Sequence, residues 1–463
     1  MLELTPFFND LAPVLGSNVG VFTEIVKGIY RISGGGVTMK NISRWTLKGC
    51  GYRTIQRFFS SSINWLGLNI LLFQTAYFDC IDTDKERYVL ALDETVEDKA
   101  GKKTHGVNWF YSSIAAKVIR SISSHVISII DTKKEKSFVL THEQTIKPVK
   151  KTKRKKVVTP KKSKKGGKKD QNGKKRKSPG RPKGSKNKQN VKSEGLLYNS
   201  FEKLLTKVLP LLQIIGLNIG YVLGDGAYGN KTCCLIAMEN GLNLISKLNR
   251  NTGLYLPYSG VYSGRGRKKK YGDRINYQKI PVNYLTSSSL DDGIKTCIYQ
   301  IKGVWTKHIP CLLNVVIIVK TDVATEKSSR VVLFSTDVNL SGTTIIRFYS
   351  LRFQIEFNFR DAKQYFGLSD FKNIKEKQVN NAIGLSLFMD NFSLVLAEKA
   401  KEEWKEENVS ILDLKAYFRA EKYLHDILNT LEIAPNTILN EDTFVDIMKI
   451  GAINRTKELV LTS

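Results

Sequence analysis

The stretch Phe348-Tyr349-Ser350-Leu351-Arg352-Phe353-Gln354-Ile355-Glu356-Phe357-Asn358-Phe359-Arg360-Asp361-Ala362-Lys363 carries the spacing Y-x2-R-x3-E-x6-K. Read as one α-helix, at about 100° per residue, it places Tyr349, Arg352, Glu356 and Lys363 within an arc of roughly 60°. One face then holds a carboxylate among two cations and a phenol, while Phe353, Ile355, Phe357 and Phe359 cover other sides. Such a carboxylate can bind a divalent metal ion, and the cations beside it can grip phosphate oxygens. The plainer alternative is an Arg352–Glu356 pair on a solvated face. The chemical reading asks for further acidic residues elsewhere in the chain.

Two stand in suitable settings. Arg87-Tyr88-Val89-Leu90-Ala91-Leu92-Asp93-Glu94-Thr95 is a short apolar run that ends in acid, which reads as a buried strand with Asp93 at its exit. A turn at 99–103 and strand-like runs from Phe110 to Ile114 and from His125 to Ile130 follow as hairpin neighbours. In Tyr221-Val222-Leu223-Gly224-Asp225-Gly226-Ala227-Tyr228-Gly229 another apolar strand meets an Asp, now flanked by glycines that permit a sharp exit. Asn230 is placed to cap a helix through Glu239, and Leu242 to Ser246 reads as the next strand. Strand, acid, helix, strand puts a carboxylate at a strand's C-terminal end, where open α/β sheets bind their ligands. Alone, each Asp also reads as a turn former or helix cap.

Together, the Y-R-E-K spacing and the order Asp93, Asp225, Glu356 resemble the signature of DDE insertion-sequence transposases. The blocks 91–95, 247–251 and 264–272 are similar to blocks of that family, and the resemblance spans roughly residues 40–395. One departure is that the family more often has Asp-Asp-Thr where this chain has Asp93-Glu94-Thr95, which keeps Asp93 as the ligand and makes Glu94 secondary. The resemblance implies an α/β fold: a ribonuclease-H-like core with a β-rich insertion, preceded by a helical DNA-binding domain. It implies that Asp93, Asp225 and Glu356 are the catalytic, metal-binding residues and hold two Mg²⁺, with Mn²⁺ able to substitute. It implies that Arg352, Lys363 and Arg360 meet DNA phosphates and that Tyr349 hydrogen-bonds one. The expected partner is double-stranded DNA, both transposon ends and target, bound by a homodimer on paired ends.

The chemistry fits those residue types. Breaking a phosphodiester needs an activated water or 3′-hydroxyl on one side and a stabilised leaving oxygen on the other, and two metal ions about 3.5–4 Å apart can supply both. Mg²⁺ favours carboxylate oxygens and water. Cys50, Cys80, Cys233, Cys234, Cys297 and Cys311 form no C-x2-C pair and the five His are scattered, so no zinc site is legible.

At 463 residues with 41% hydrophobic content, the chain can bury a sizeable core. Its longest apolar run, about Leu312 to Val319, is too short to cross a bilayer, and no basic-then-apolar leader is visible. A cytoplasmic, nucleoid-associated protein with reduced thiols and no membrane partner is expected. Most of the net charge of +30 sits between Lys147 and Lys192, where 22 Lys or Arg face one acid, Asp170. That stretch lacks the apolar residues for a core and reads as a disordered insertion after the third strand. It is either a solvated linker or a polyanion-binding arm that releases counterions from DNA. Within it, Pro179-Gly180-Arg181-Pro182-Lys183 resembles an AT-hook, with Arg181 the residue for a narrow minor groove.

Upstream, 37–45 and 51–59 read as two short helices joined by a Gly-Cys-Gly turn. Ile42, Trp45, Ile55, Phe58 and Phe59 would pack, leaving Tyr52, Arg53, Gln56 and Arg57 to meet DNA as in a helix-turn-helix, or simply to face solvent on a helical hairpin. Between Asn249 and Leu340 the runs Thr296–Ile301, Cys311–Lys320 and Val331–Thr336 imply β structure, with a basic cluster that includes Arg265 and Arg267. Trp305 is either a core residue or a stacking partner for a base displaced near the cut. Ala382 to Leu396 reads as a helix closing the core, and Ile411 to Leu424 as an amphipathic one.

The expected organisation is a helical DNA-binding region (1–85), core (86–146), Lys-rich insertion (147–193), core (194–248), β-rich insertion (249–340), core completed by the signature helix (341–400) and a helical tail (401–463). The expected activity is metal-dependent cleavage and strand transfer, as in cut-and-paste transposition. Two rivals remain at this point: a DNA-binding regulator or decayed copy without catalysis, and a stand-alone metal-dependent nuclease that cuts without joining.

Overall fold

The computed structural model describes residues 2, 4–46, 50–77, 84–148, 195–262, 264, 266–432, 443 and 447–453. Arg181, Arg265, Cys80, Gly49 of the proposed turn, and the Lys-rich stretch beyond Pro148 lie outside these residues.

Helices α1 (Thr5–Leu15), α2 (Val19–Arg31), α3 (Met39–Trp45), α4 (Tyr52–Ser60) and α5 (Trp65–Tyr77) come first. The short hairpin forms as its pattern dictates. Thr38 caps α3 by accepting from the Asn41 amide, and α4 buries Ile55, Phe58 and Phe59 at helical spacing while Tyr52, Arg53 and Arg57 stay exposed. Strands β1 (Tyr88–Asp98), β2 (Asn108–Ser112), β3 (Lys117–Asp131) and β4 (Lys136–Gln144) follow. After the Lys-rich stretch come α6 (Leu196–Ile214), β5 (Tyr221–Gly224), α7 (Lys231–Glu239) and β6 (Asn243–Leu248). The expected β-rich region then supplies β7 (Leu254–Pro257), β8 (Tyr271–Arg274), β9 (Leu285–Asp291), β10 (Ile294–Thr306), β11 (Leu313–Asp322) and β12 (Ser328–Ser335). Helices α8 (Gly342–Leu351), α9 (Gln354–Tyr365), α10 (Glu376–Trp404) and α11 (Ile411–Thr430) complete the described chain.

The fold is mixed α/β; among the described residues one twelve-stranded sheet runs in the order β2-β3-β1-β5-β6-β12-β11-β10-β7-β8, with β4 also on β3 and β9 on β10. Within it β4, β3 and β1 run antiparallel, whereas β1, β5 and β6 run parallel. The β-rich region is thus not a separate body: β12 pairs with β6 and extends the same sheet.

Alternation assigns the two faces. Val89, Ala91, Leu223 and Ile245 pack with Ile345, Phe348 and Leu351 of α8. Leu90, Leu92, Val222 and Leu244 turn the other way, into the larger core with Leu204 and Val208 of α6 and Ile236 of α7. Each such side chain contributes about 1.5–3 kcal/mol on full burial. A one-residue slip of β1 would exchange the two sets, so burial on both faces fixes the register.

The N-terminal helices share this larger core with the last two. Phe22 of α2 meets Phe388 of α10 at 5.2 Å between ring centroids, and Tyr30 stacks on Phe418 of α11 at 5.1 Å. Helix α10 is buried along most of its 29 residues, polar Asn381, Asp390 and Asn391 among them, and passes through the interior.

Three sequence expectations need correction. Strand β1 does not end at Asp93 but runs on to Asp98, because β3 keeps pairing with it as far as Asp98↔Ser121. What ends near Asp93 is burial on both faces and the pairing to β5, whose last rung is Leu92↔Gly224. The Lys-rich stretch follows a fourth strand, β4, rather than the third. The signature segment is two helices. Arg352 and Phe353 keep helical dihedrals, but Phe353 donates to Ser350 and Glu356 to Phe353, a switch to i→i−3 bonding that tightens the chain between α8 and α9.

Candidate active site

The parallel rungs Leu90↔Val222, Ala91↔Leu223 and Leu92↔Gly224 make Asp93 and Asp225 the next residues along neighbouring strands. Both share alternation parity with Val89, Ala91 and Leu223, so both side chains leave the sheet on the α8 side. Strands about 4.8 Å apart bring two carboxylates close enough to repel by about 3 kcal/mol at an effective dielectric of 20. Burial of the flanking apolar rungs outweighs that cost and holds the acids together.

Local structure keeps the Asp225 turn tight. Its Oδ1 accepts from the Ala227 amide at 2.9 Å and its carbonyl accepts from Ser246 Oγ at 2.6 Å. A Cβ on Gly224 would stand 2.6 Å from the Tyr228 side chain, and one on Gly229 would collide with the Lys247 carbonyl, so both positions need glycine. Asn230 caps α7 as the sequence suggested, accepting from the Cys233 amide.

The third carboxylate arrives on α9. Asn358, buried two residues after Glu356, donates to the Ser137 carbonyl of β4 and, at 2.7 Å, to the buried Asp390 of α10. Burial holds Asp390 well above the usual carboxylate range. These bonds seat α9 against the sheet, and Glu356 then lines one cleft of about 820 Å³ with Asp93, Asp225 and Arg352.

Arg352 lies at the joint between α8 and α9 and spans two of the acids. Its Nη1 donates to Asp93 Oδ2 at 2.8 Å and its Nη2 to Glu356 Oε1 at 2.9 Å, while Nε has no acceptor among the described residues. Its guanidinium carbon also lies 5.8 Å from the Tyr349 ring centroid. Burial pushes the Asp93 carboxyl up to about 6; Arg352 and the Glu94 amide pull it down, and Asp225 and Glu356 push it further up. The Tyr349 hydroxyl is likewise raised by burial. One guanidinium thus stands between two of the three carboxyl groups.

Lys363 faces the same cleft but is not free. Its Nζ pairs at 2.9 Å with Glu97 of β1, which is 5% exposed. Glu97 also accepts from Thr95 at 2.7 Å and from Ser369 at 2.6 Å. Arg360 lines the cleft, pairs with its neighbour Asp361 at 2.8 Å and stands 4.8 Å from the Phe357 ring. The spacing that suggested a phosphate-gripping face thus gives, in this state, a set of internal ion pairs at its centre.

Sequence reasoning missed Glu97, His125 and Tyr228, and gave Glu94 only as a secondary ligand. Glu97 had only a strand period to announce it. Behind the aspartates, buried His125 of β3 makes a 3.2 Å hydrogen bond with Tyr228, and burial lowers the imidazole pKa. Glu94 accepts a bond from Ser123 and stands opposite His125 in the β1–β3 pairing.

Other expected DNA contacts lie away from the cleft. Arg53 and Arg57 are exposed on α4. Arg267, with Lys231, Lys268, Lys270, Lys307 and His308, lines a separate basic hollow of about 470 Å³. Trp305, half-buried in β10, has the Lys270 ammonium 3.4 Å from its ring centroid, so that cation already covers a face on which a base would stack.

The carboxylate-only donor set suits a hard divalent cation such as Mg²⁺. As arranged, no three Asp, Glu, His or Cys side chains among the described residues converge tightly enough to hold an ion, and Arg352 bridges the acids instead.

One cleft thus holds Asp93 of β1, Asp225 just beyond the end of β5 and Glu356 of α9. Residues 31–297, more than half of the chain, match the DDE superfamily endonuclease family, and the chain belongs to it. The match takes in both aspartates and ends before Glu356. No curated protein matches the sequence. Among solved structures the chain is similar to piggyBac transposase, determined as a synaptic complex with hairpin DNA, at 10% identity and a TM-score of 0.36. The similarity covers 96% of this chain and 77% of that one.

Proposed function

We propose that this chain is a DNA transposase that cleaves DNA at the ends of a mobile element and joins the freed 3′-hydroxyls to a target. The observation that carries the reading is the β1–β5 register, which makes Asp93 and Asp225 neighbours on the cleft that Glu356 enters. The strand order β4-β3-β1-β5-β6, antiparallel then parallel, supports a ribonuclease-H-like core, with β7–β12 as its β-rich insertion.

Asp93, Asp225 and Glu356 are the groups that would hold Mg²⁺, with Mn²⁺ as substitute, and such ions would activate the attacking oxygen and stabilise the leaving one. For the carboxylates to take up a cation, the Arg352 guanidinium must let go of at least one of them. Released, its planar fork suits a phosphate oxygen pair beside the cut, with Tyr349 close by. Lys363, tied to Glu97, braces α9 against β1 and keeps an ammonium at the cleft wall; Arg360 adds a second cation there. Arg53 and Arg57 on α4, Arg267 in the basic hollow, and the Lys-rich stretch with Arg181 supply contacts to duplex DNA. A dimer on paired ends, in the cytoplasm and on the nucleoid, completes the reading.

The test is incubation of purified protein and Mg²⁺ with labelled DNA that carries the element's terminal repeats, plus a target plasmid. Cleavage at the ends with transfer into the plasmid is the expected result. Cutting without joining would reduce the protein to a nuclease, and binding without cutting to a regulator.

A further inference from the structure

The catalytic cleft has one wall that the acidic residues do not explain. Strand β2 and the first part of β3 form a hairpin with the rungs Trp109↔Arg120, Phe110↔Ile119 and Tyr111↔Val118. Phe110 is buried, and Lys147 caps it with its ammonium 4.1 Å from the ring centroid. Trp109 and Tyr111 point to the opposite face, 61% and 62% exposed, with Val118 beside them and Ile114 at the tip, 88% exposed. Single exposed apolar residues need no account, but four together on one short hairpin form a patch.

Its position gives the patch a meaning. Tyr111, Ser112, Ser113 and Ile114 line the cleft that holds Asp93, Asp225 and Glu356. Trp109, Lys117 and Arg120 line the adjoining hollow, and Lys363 borders both. Aromatic rings thus continue the catalytic cleft, with cations interleaved. The chain also enters its polycationic stretch here, because Lys147 donates to the Trp109 carbonyl.

We propose that Trp109 and Tyr111 form a stacking site for unpaired nucleobases of the strand being cut. The inference rests on the transposase reading and adds to it the form in which the substrate is held. Residues i and i+2 of a strand lie about 6.6–6.8 Å apart, roughly twice the ~3.4 Å rise between successive bases, so the two rings are spaced to admit one base. A paired base within a duplex offers no free face, so the ligand is a flipped or frayed nucleotide. Lys117 and Arg120, which line the hollow beside Trp109, supply positive charge for a strand's phosphates, which a groove for an apolar peptide or for a second copy of the chain would not need. Base–ring stacking is indifferent to sequence, which suits a site beside the chemistry rather than one that reads the element's ends.

The experiment uses the full chain carrying Glu356→Gln, so that nothing is cut. Binding is measured by fluorescence anisotropy to a blunt duplex and to the same duplex with a short unpaired tail containing aminopurine. The tail should raise affinity, and its aminopurine should be quenched. Trp109→Ala with Tyr111→Ala should remove about a tenfold advantage of the tail and the quenching, while blunt-duplex affinity stays put. Trp109→Phe should retain most of both. Both rings are largely exposed, so folding should survive, and a thermal melt checks it. A tail advantage unchanged in the double variant would overturn the inference, as would an equal loss on both probes. A drop in oligomeric mass in the double variant would overturn it too, by making the patch a contact between copies. None of these readouts requires cleavage, so failure here leaves the catalytic reading standing, and failure of cleavage leaves this result interpretable.

Discussion

Arg352 donates to Asp93 at 2.8 Å across 259 positions of sequence. With its second bond to Glu356, Arg352 ties strand β1 to helix α9. Both partners in the long-range pair are mostly buried, at 13% and 19% side-chain exposure, so solvent screens the interaction little.

Arg352→Ala should therefore destabilise the metal-free protein, on the order of 2 kcal/mol for the lost charge-assisted bonds. It should also free the carboxylates, so added Mg²⁺ or Mn²⁺ should raise the Tm of the variant more than that of the wild type. Thermal unfolding with and without metal measures both effects. Equal metal-induced shifts in the two proteins would show that Arg352 does not compete for the site.

Lys363 and Glu97 should behave as a coupled pair. Lys363→Met and Glu97→Gln should each lower stability, and the double variant should lose less than their sum, by about 1 kcal/mol or more. Urea unfolding gives the cycle. If Lys363 served DNA alone, its loss would leave stability unchanged and lower the magnitude of the log K against log salt slope by about 0.9.

His142, buried in β4, has its pKa pushed down to about 4 by burial, against an unfolded value near 6.5. Between those values the unfolded chain binds more protons, so stability present above about pH 6.5 is lost as pH falls towards 4. At pH 5 the loss is about 2 kcal/mol. The raised carboxyl of Asp93 acts in the opposite sense over much of this range, since there the folded state holds the extra proton. The His142 contribution is therefore read as the difference between wild type and His142→Gln, whose stability should fall less on acidification. Parallel pH profiles would contradict it.

Much of this site was legible in the sequence because its signals are local. A run such as Tyr88–Leu92, apolar without alternation, can only be a short strand buried on both faces or a helix fragment, and the acid that follows marks its exit from the core. Asn230 announced α7 through capping chemistry, and Ile55, Phe58 and Phe59 gave the buried face of α4. What could not be read depends on pairing between distant segments. The neighbour relation of Asp93 and Asp225 rests on a parallel register across 132 positions, and period alone does not choose strand partners. Glu97 gave no sign that it would meet Lys363, nor Asn358 that it would bind Asp390. The break at Arg352 and Phe353 was hidden because both residues keep helical dihedrals, so side-chain periodicity carries almost undisturbed across a change in hydrogen bonding. Trp305 and Trp109 show the limit for single aromatics: nothing local distinguishes a ring covered by Lys270 from one left open beside the cleft.

If Asp93, Asp225 and Glu356, which β1, β5 and α9 bring to one cleft, hold the metal that cuts DNA, replacing any one of them should abolish cleavage. Asp93→Asn, Asp225→Asn and Glu356→Gln each remove charge with little change in shape. The most direct test measures DNA cleavage in Mg²⁺ and DNA affinity in its absence on the same preparations of wild type and all three variants. Every variant should lose cleavage by at least about a hundredfold, since each removes a charge from the reacting centre, while affinity stays near wild type. Normal cutting by any one of the three, in a preparation that binds DNA normally, would contradict it.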